Sequence, residues 1–227
     1  MELGSEKWKR LIRSGAKALD IDMDRKKTDQ FAIHAEELIK WNRKMNLTSI
    51  TDPLEVAVKH FLDSIVPASV IPPYARMLDI GSGGGFPGIP LKVLIPSMQV
   101  TLIDASRKKV NFLKHVIRSL NLDNMDAGQV RAEDLPRDRV YDVIISRALS
   151  SLEAFVSMAL PLLAEGGRII ALRGAIAETE KESVRSLTSK YLREGESVGN
   201  LFSMDMKTYA LPFLGAARSL FYLKLAP

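Results

Sequence analysis

Cysteine is absent from the 227-residue chain, and histidine occurs only three times. Without cysteine there is no disulfide, no thiolate metal site and no cysteine nucleophile. His34, His60 and His115 are scattered, and no spaced cysteines accompany them to complete a metal set. No metal is therefore expected. Long apolar runs are missing too. None approaches the roughly 20 residues of a membrane span, so no membrane partner is expected. The first stretch, MELGSEKWKRLIRSG, is charged and lacks the apolar core of a signal peptide. A cytoplasmic location is the expectation. Acidic residues are in the minority, 27 against 32 lysines and arginines, which leaves a net charge of +5. That balance mildly favours a polyanionic partner, because lysine and arginine displace phosphate counterions.

What is present is an ordinary globular composition, 46% hydrophobic and 26% charged. The first 65 residues read as helical. Trp8, Leu11, Ile12, Ala16 and Leu19 fall on one face of a first helix. A second is expected to begin near Thr28 as its cap and to carry Phe31, Ala35, Leu38 and Asn42 down one side. A third is expected over TDPLEVAVKHFLDSI, with Pro53 near its start. The double proline of VIPPYAR marks a boundary. We read residues 1–72 as a helical extension and 73–227 as a second unit.

From residue 76 the pattern alternates. RMLDI, QVTLID, the near-continuous apolar run YDVIISRA and GRIIALRG read as strands. SRKKVNFLKHVIRSL, SLEAFVSMALPLLAEGG (bent or shortened by Pro161) and the polar AETEKESVRSLTSKYL read as helices. The tail reads as two strands joined by a loop holding Pro212 and Gly215. The expected fold is α/β: a doubly wound, mostly parallel, Rossmann-like sheet with an antiparallel C-terminal strand.

The stretch LDIGSGGGFPGIPL places five glycines in eight residues after the first strand, where a doubly wound sheet binds its ligand. Asp79, Gly81, Gly83 and Gly85 fit D-x-G-x-G-x-G, the turn that holds S-adenosylmethionine in many methyltransferases. Gly83, Gly85 and Gly88 fit the dinucleotide fingerprint G-x-G-x-x-G, but two residues late. A diphosphate suits a helix N-terminus, whereas a sulfonium and an ammonium suit a nearby carboxylate, which Asp79 supplies. Asp104, ending the second strand, can accept two ribose hydroxyls or cap the following helix, and dehydrogenases use the same position. RAED, residues 131–134, lies where the third strand should end.

At these residues the sequence resembles a known family. NLTSITDP, VKHFLDSI, LDIGSGGGFPGIPL, TLIDASRKKVNFLKHV, RAED and VIISRAL occur in the order and spacing of the ribosomal small-subunit methyltransferase G family, also called glucose-inhibited division protein B. The resemblance spans roughly residues 38 to 174. It implies a class I methyltransferase fold with a helical N-terminal extension, S-adenosylmethionine as methyl donor, and methylation of N7 of one guanine in the 530 loop of 16S rRNA. By motif, it puts cofactor contacts on Gly81, Phe86, Ala132, Glu133 and Arg147, with Asp104 at the family's acidic position. Lys59-His60 stands where the family usually has Arg-His, and Arg173 where it has lysine. Arg and Lys differ in geometry. With the resemblance, Asn46, Lys59, His60, Asp63 and Arg173 become candidates for an RNA-facing rim, in a chain expected to act as a monomer on 16S rRNA in the small subunit.

The chemistry is compatible. Exocyclic-amine methyltransferases usually carry an N/D-P-P-Y/F motif after the fourth strand, where this chain has SRAL. Guanine N7 has an in-plane lone pair and no proton to lose, so positioning can supply on the order of 7–11 kcal/mol without a general base. Arg147 is the candidate catalytic residue, orienting the donor's methionine end. A small-molecule methyltransferase, an NAD(P)-dependent oxidoreductase on the shifted glycine match, and a non-catalytic RNA-binding module remain alternatives at this point.

Overall fold

The computed structural model describes residues 1–138, 140–147, 151–174, 176, 178–189 and 202–225. Helix α1 (Glu6–Ala18) starts at Ser5, whose side chain accepts from Trp8 N, and it buries Trp8, Ile12 and Ala16 as the spacing predicts. Helix α2 (Arg25–Met45) begins earlier than expected. Its cap is Asp24, which accepts from Lys27 N at 2.8 Å. Thr28 lies inside the first turn, buried, with its hydroxyl donating to Arg25 O at 2.8 Å. Both residues are short and polar; burial of Thr28 gives the cap to Asp24. Phe31, Ala35 and Leu38 face the core. Asn42 instead clamps the next loop, donating to Thr48 O and accepting from Thr48 N, both at 2.9 Å.

The expected third helix is not uniform. Asp52 caps it and Pro53 occupies its first turn, as anticipated. It then runs as α3 (Pro53–Glu55), a π-helical segment (Val56–Leu62), α4 (Asp63–Ile65) and a 3₁₀ turn (Val66–Val70).

Among the described residues seven strands form one sheet: β1 (Arg76–Ile80), β2 (Gln99–Asp104), β3 (Met125–Gln129), β4 (Tyr141–Arg147), β5 (Leu163–Arg173), β6 (Phe202–Ala210) and β7 (Ala217–Leu225). Their order is β3-β2-β1-β4-β5-β7-β6. β1 to β5 pair in parallel, and β7 lies antiparallel to both β5 and β6. The order reverses between β1 and β4, so a crevice opens at their carboxyl ends. Helices α5 (Gly88–Leu94), α6 (Arg107–Ser119), α7 (Leu152–Ala159) and α8 (Glu178–Ser189) connect the strands.

The expected helix over residues 151–167 is corrected. α7 ends at Ala159, a 3₁₀ turn covers Leu160–Leu162, and β5 already starts at Leu163. Pro161 has no amide hydrogen to continue the ladder, and Gly166 takes a left-handed φ of +67° within the strand. Of the polar helix expected over 177–192, residues 177 and 190–192 lie outside the described residues, as do Ala148 and Leu149 of SRAL.

Two apolar layers sandwich the sheet. On one face Trp8, Phe31 and Phe61 pack with Met77, Val100, Leu102, Ile89 of α5 and Phe112 of α6. Each fully buried large side chain there contributes about 2–3 kcal/mol. On the other face Phe155 of α7 and Val184 of α8 cover Leu78, Ile144, Ile169 and Phe221. The N-terminal helices therefore share a core with the sheet, and that brings the loop at Leu47–Ile50 and the π-helical segment to the crevice.

Candidate active site

The glycine turn is pinned from both sides. Gly81 N and Ser82 N donate to Ile103 O at 2.9 and 3.1 Å, and Gly85 N and Phe86 N donate to Ser82 O at 2.7 and 3.0 Å. Gly83 has φ +55°, and a Cβ there would meet nothing nearer than Gly81 O at 3.8 Å. The turn thus leaves open space above it. Gly88 answers a different demand: a Cβ would sit 2.4 Å from Leu102 Cδ2 and 2.7 Å from Asp79 Oδ2. That glycine lets α5 lie hard against β2, so the third glycine of the dinucleotide pattern is accounted for by packing.

Asp79 is buried beneath the turn. Its Oδ2 accepts from Gly88 N at 2.8 Å, capping α5, while Oδ1 has no partner among the described residues. Burial pushes its carboxyl up to about 7. Asp104 faces the turn from the end of β2. Oδ2 accepts from Gly83 N at 3.1 Å and Oδ1 from Ser106 N at 2.8 Å, with Lys109 Nζ at 3.7 Å.

Phe86 organises the next layer. His34 and His60 both stack on its ring, with centroids 4.7 and 4.6 Å away, and the Arg147 guanidinium carbon lies 4.9 Å from the ring centre. His34 is fully buried and hydrogen-bonded to Gly84 O at 2.8 Å; burial lowers its pKa to about 4. Arg147, from the end of β4, reaches into the π-helical segment. Its Nη1 donates to Lys59 O at 2.9 Å and to His60 O and Ser64 Oγ at 3.4 Å, and lies 3.9 Å from Asp63 Oδ2. Its Nη2 donates to His60 Nδ1 at 3.3 Å. Burial, and then the Arg147 charge, hold His60 down to about 3. The Tyr209 hydroxyl of β6 donates to Asp63 Oδ1 at 2.7 Å, and burial raises the Asp63 carboxyl.

Two clefts meet here. A small one, about 170 Å³, is floored by the turn residues Gly81–Gly84 and Phe86. A wider one, about 760 Å³, runs past Lys59, Asp63, Arg173 and Arg218. Leu47, Thr48, His60 and Arg147 belong to the walls of both. The two clefts therefore adjoin at these four residues.

The family model for rRNA small subunit methyltransferase G matches residues 27–202. A ribosomal RNA small subunit methyltransferase G from Geobacter sp. strain M21 is 41% identical over 214 residues, covering 93% of this chain and 95% of that protein. The chain belongs to the rRNA small subunit methyltransferase G family. It is, with that family, an S-adenosylmethionine-dependent methyltransferase, and the oxidoreductase alternative is set aside. Solved structures share the fold. Pyrococcus horikoshii TYW2, in complex with MeSAdo, superposes with a TM-score of 0.58 at 19% identity, covering 72% of this chain and 61% of that one. An rRNA methylase from Streptococcus thermophilus gives 0.51 at 16% identity, covering 79% and 100%.

Of the remaining candidates, Lys59 and Arg173 line the wider cleft, whereas Ala132, Glu133 and Asn46 stand outside both clefts. Ala132 is buried in a 3₁₀ turn after β3, and both Ala132 and Glu133 line a separate hollow against α7. Lys59 pairs with Glu55, and Arg173 pairs with Glu180 at 3.0 Å. Asn46 takes the left-handed C-cap of α2 and is exposed, with the cleft walls beginning one residue later at Leu47. Sequence reasoning passed over Thr48, Tyr209 and Arg218. His34, one of three scattered histidines in the sequence, packs on Phe86 within the site. The partners of these four residues lie 12 to 146 positions away or are backbone atoms, so no local spacing announces them.

Proposed function

We propose that this chain transfers a methyl group from S-adenosylmethionine to N7 of a guanine in the 530 loop of 16S rRNA. The open turn over Gly83 and the Asp104 carboxylate at the end of β2 fit the adenosyl donor; Gly81, Gly83, Gly85, Phe86, Asp104 and Arg147 are the residues that would hold it, with Asp79 bracing the turn from below, while Ala132 and Glu133, in the hollow against α7, are assigned to it by the family resemblance alone. When bound, S-adenosylmethionine supplies an electrophilic methyl on a sulfonium.

The observation that carries the N7 reading is that, among the described residues, the junction of the clefts offers no free general base. His60 Nδ1 is occupied by Arg147 Nη2, and its Nε2 bonds Thr48 Oγ1 at 2.9 Å. Asp63 is buried and engaged by Tyr209 and Arg147. A nucleophile that must lose a proton would lack an acceptor. Guanine N7 would attack the donor methyl with its lone pair, the carbon–sulfur electrons would leave with sulfur, and no proton would need to move. Arg147, already fixed on backbone carbonyls, positions rather than titrates. Arg173 and Arg218 add positive charge along the wider cleft, where RNA phosphates would run. The 530-loop target rests on family membership.

The test uses tritiated S-adenosylmethionine and small subunits from a strain lacking this enzyme, followed by mapping of the modified nucleotide. Label on guanine N7 in the 530 loop is expected. Label on an exocyclic nitrogen, or none on RNA, overturns the reading.

A further inference from the structure

The geometry points to a specificity role for a residue that carries none in the motif reading: the Thr48 hydroxyl donates a hydrogen bond to the exocyclic oxygen beside the methylated nitrogen of the target purine. This rests on the proposed guanine-N7 chemistry. The Arg147 guanidinium has five donors and no acceptor and stays protonated. Its Nη2 lies 3.3 Å from His60 Nδ1, so Nδ1 accepts. A neutral imidazole that accepts at Nδ1 carries its hydrogen on Nε2, and Nε2 lies 2.9 Å from Thr48 Oγ1. Thr48 Oγ1 therefore accepts from His60. It also accepts from Ile50 N at 3.0 Å. Both lone pairs of the hydroxyl are used, and its hydrogen has no acceptor among the described residues.

Arginine thus fixes the histidine tautomer, and the tautomer makes the threonine hydroxyl a donor only. Thr48 itself lines both the donor cleft and the wider cleft. The Hoogsteen edge of guanine presents two acceptors, N7 and O6. With N7 turned to the methyl, O6 lies next to it and needs a donor. Adenine presents an amino group there, and a donor-only hydroxyl meets it with hydrogen against hydrogen. A site built to hydrogen-bond one substrate atom rejects the analogue that lacks it.

The experiment is a double cycle on kcat/KM. Small subunits are reconstituted with 16S rRNA carrying either guanine or 2-aminopurine, which keeps N7 and lacks the oxygen, at the methylated position. Wild type is expected to methylate the 2-aminopurine substrate about ten-fold less efficiently. Thr48→Val should lose about ten-fold on guanine and nothing further on 2-aminopurine, while Thr48→Ser stays within a few-fold of wild type. If Thr48→Val fails to fold, Thr48→Ala takes its place in the cycle. Equal wild-type rates on the two substrates, or equal losses on both in the variant, overturn the Thr48 assignment. Label away from guanine N7 in the wild-type arm overturns the proposed function instead.

Discussion

Phe86 sets the electrostatics of its neighbours by excluding water from them. His34, stacked on it and fully buried, titrates near 4 rather than 6.5. As pH falls through 6.5 the unfolded chain takes up a proton at this histidine and the folded chain does not until about 4. The unfolded state binds more protons across that window, so stability is lost as pH drops through it, by about 3 kcal/mol in full. Asp79 works the other way. Its folded carboxyl keeps a proton up to about 7, so it withdraws stability as pH rises from the usual carboxylate range toward 7. His34→Phe isolates the first effect. The variant should lose about 1–3 kcal/mol near neutral pH, because Gly84 O is left without its partner. Its urea midpoint should then fall less steeply than wild type from pH 6.5 toward 4.5; parallel curves would refute the assignment. Gly83→Ala probes a different quantity. The added methyl meets no wall, so the cost to stability is about 1–2 kcal/mol of left-handed backbone strain. The methyl occupies the space above the turn, and affinity for S-adenosylhomocysteine should fall more than ten-fold in calorimetry.

Among the elements, the π-helical segment Val56–Leu62 couples the helical extension to the sheet. Its carbonyls at Lys59 and His60 receive Arg147 from the end of β4, and π segments recur at functional sites. The hairpin adds a third tie, through Tyr209 to Asp63. Tyr209→Phe removes one hydroxyl and leaves a buried carboxyl short of a donor. It should destabilise the fold by about 1–3 kcal/mol in urea titration, and an unchanged midpoint would show that water replaces the hydroxyl. The alternation of apolar strands with amphipathic helices made most of the sheet legible in sequence, with the shortening at Pro161 and the terminal hairpin; β3, MDAGQ, has no apolar run and only its end near RAED was expected. The glycine turn was legible because five glycines at a switch point have few other uses. The π segment was not: its apolar spacing matches an ordinary helix, and the wider turn shows only in the backbone. Asp24 and Thr28 are interchangeable as caps in sequence, and only burial separates them. Arg147 was placed correctly at a strand end, but its anchors lie 83 to 88 positions earlier, beyond any local pattern.

For the whole molecule, a net charge of +5 matters less than where unpaired cations stand. Along the wider cleft Lys59 is paired with Glu55 and Arg173 with Glu180, and Arg147 is committed to the π segment and Asp63. Arg218 differs. It sits on β7 at the cleft edge, its Nη1 donates to Ala217 O at 3.0 Å, and it forms no ion pair among the described residues. A cation already paired gives up a carboxylate to meet a phosphate, so it releases less net charge on binding than a free one. RNA affinity should therefore depend more on Arg218 than on Arg173. Binding of a 16S rRNA fragment, followed by fluorescence anisotropy across a salt series, gives the slope of log K against log salt. Arg218→Ala should weaken binding about uniformly across RNA sequences and lower that slope by roughly one. Arg173→Ala should lower it by distinctly less. Were the two slopes to change equally, or the Arg218 variant to keep the wild-type slope, the phosphates would have to run along a different face of the protein.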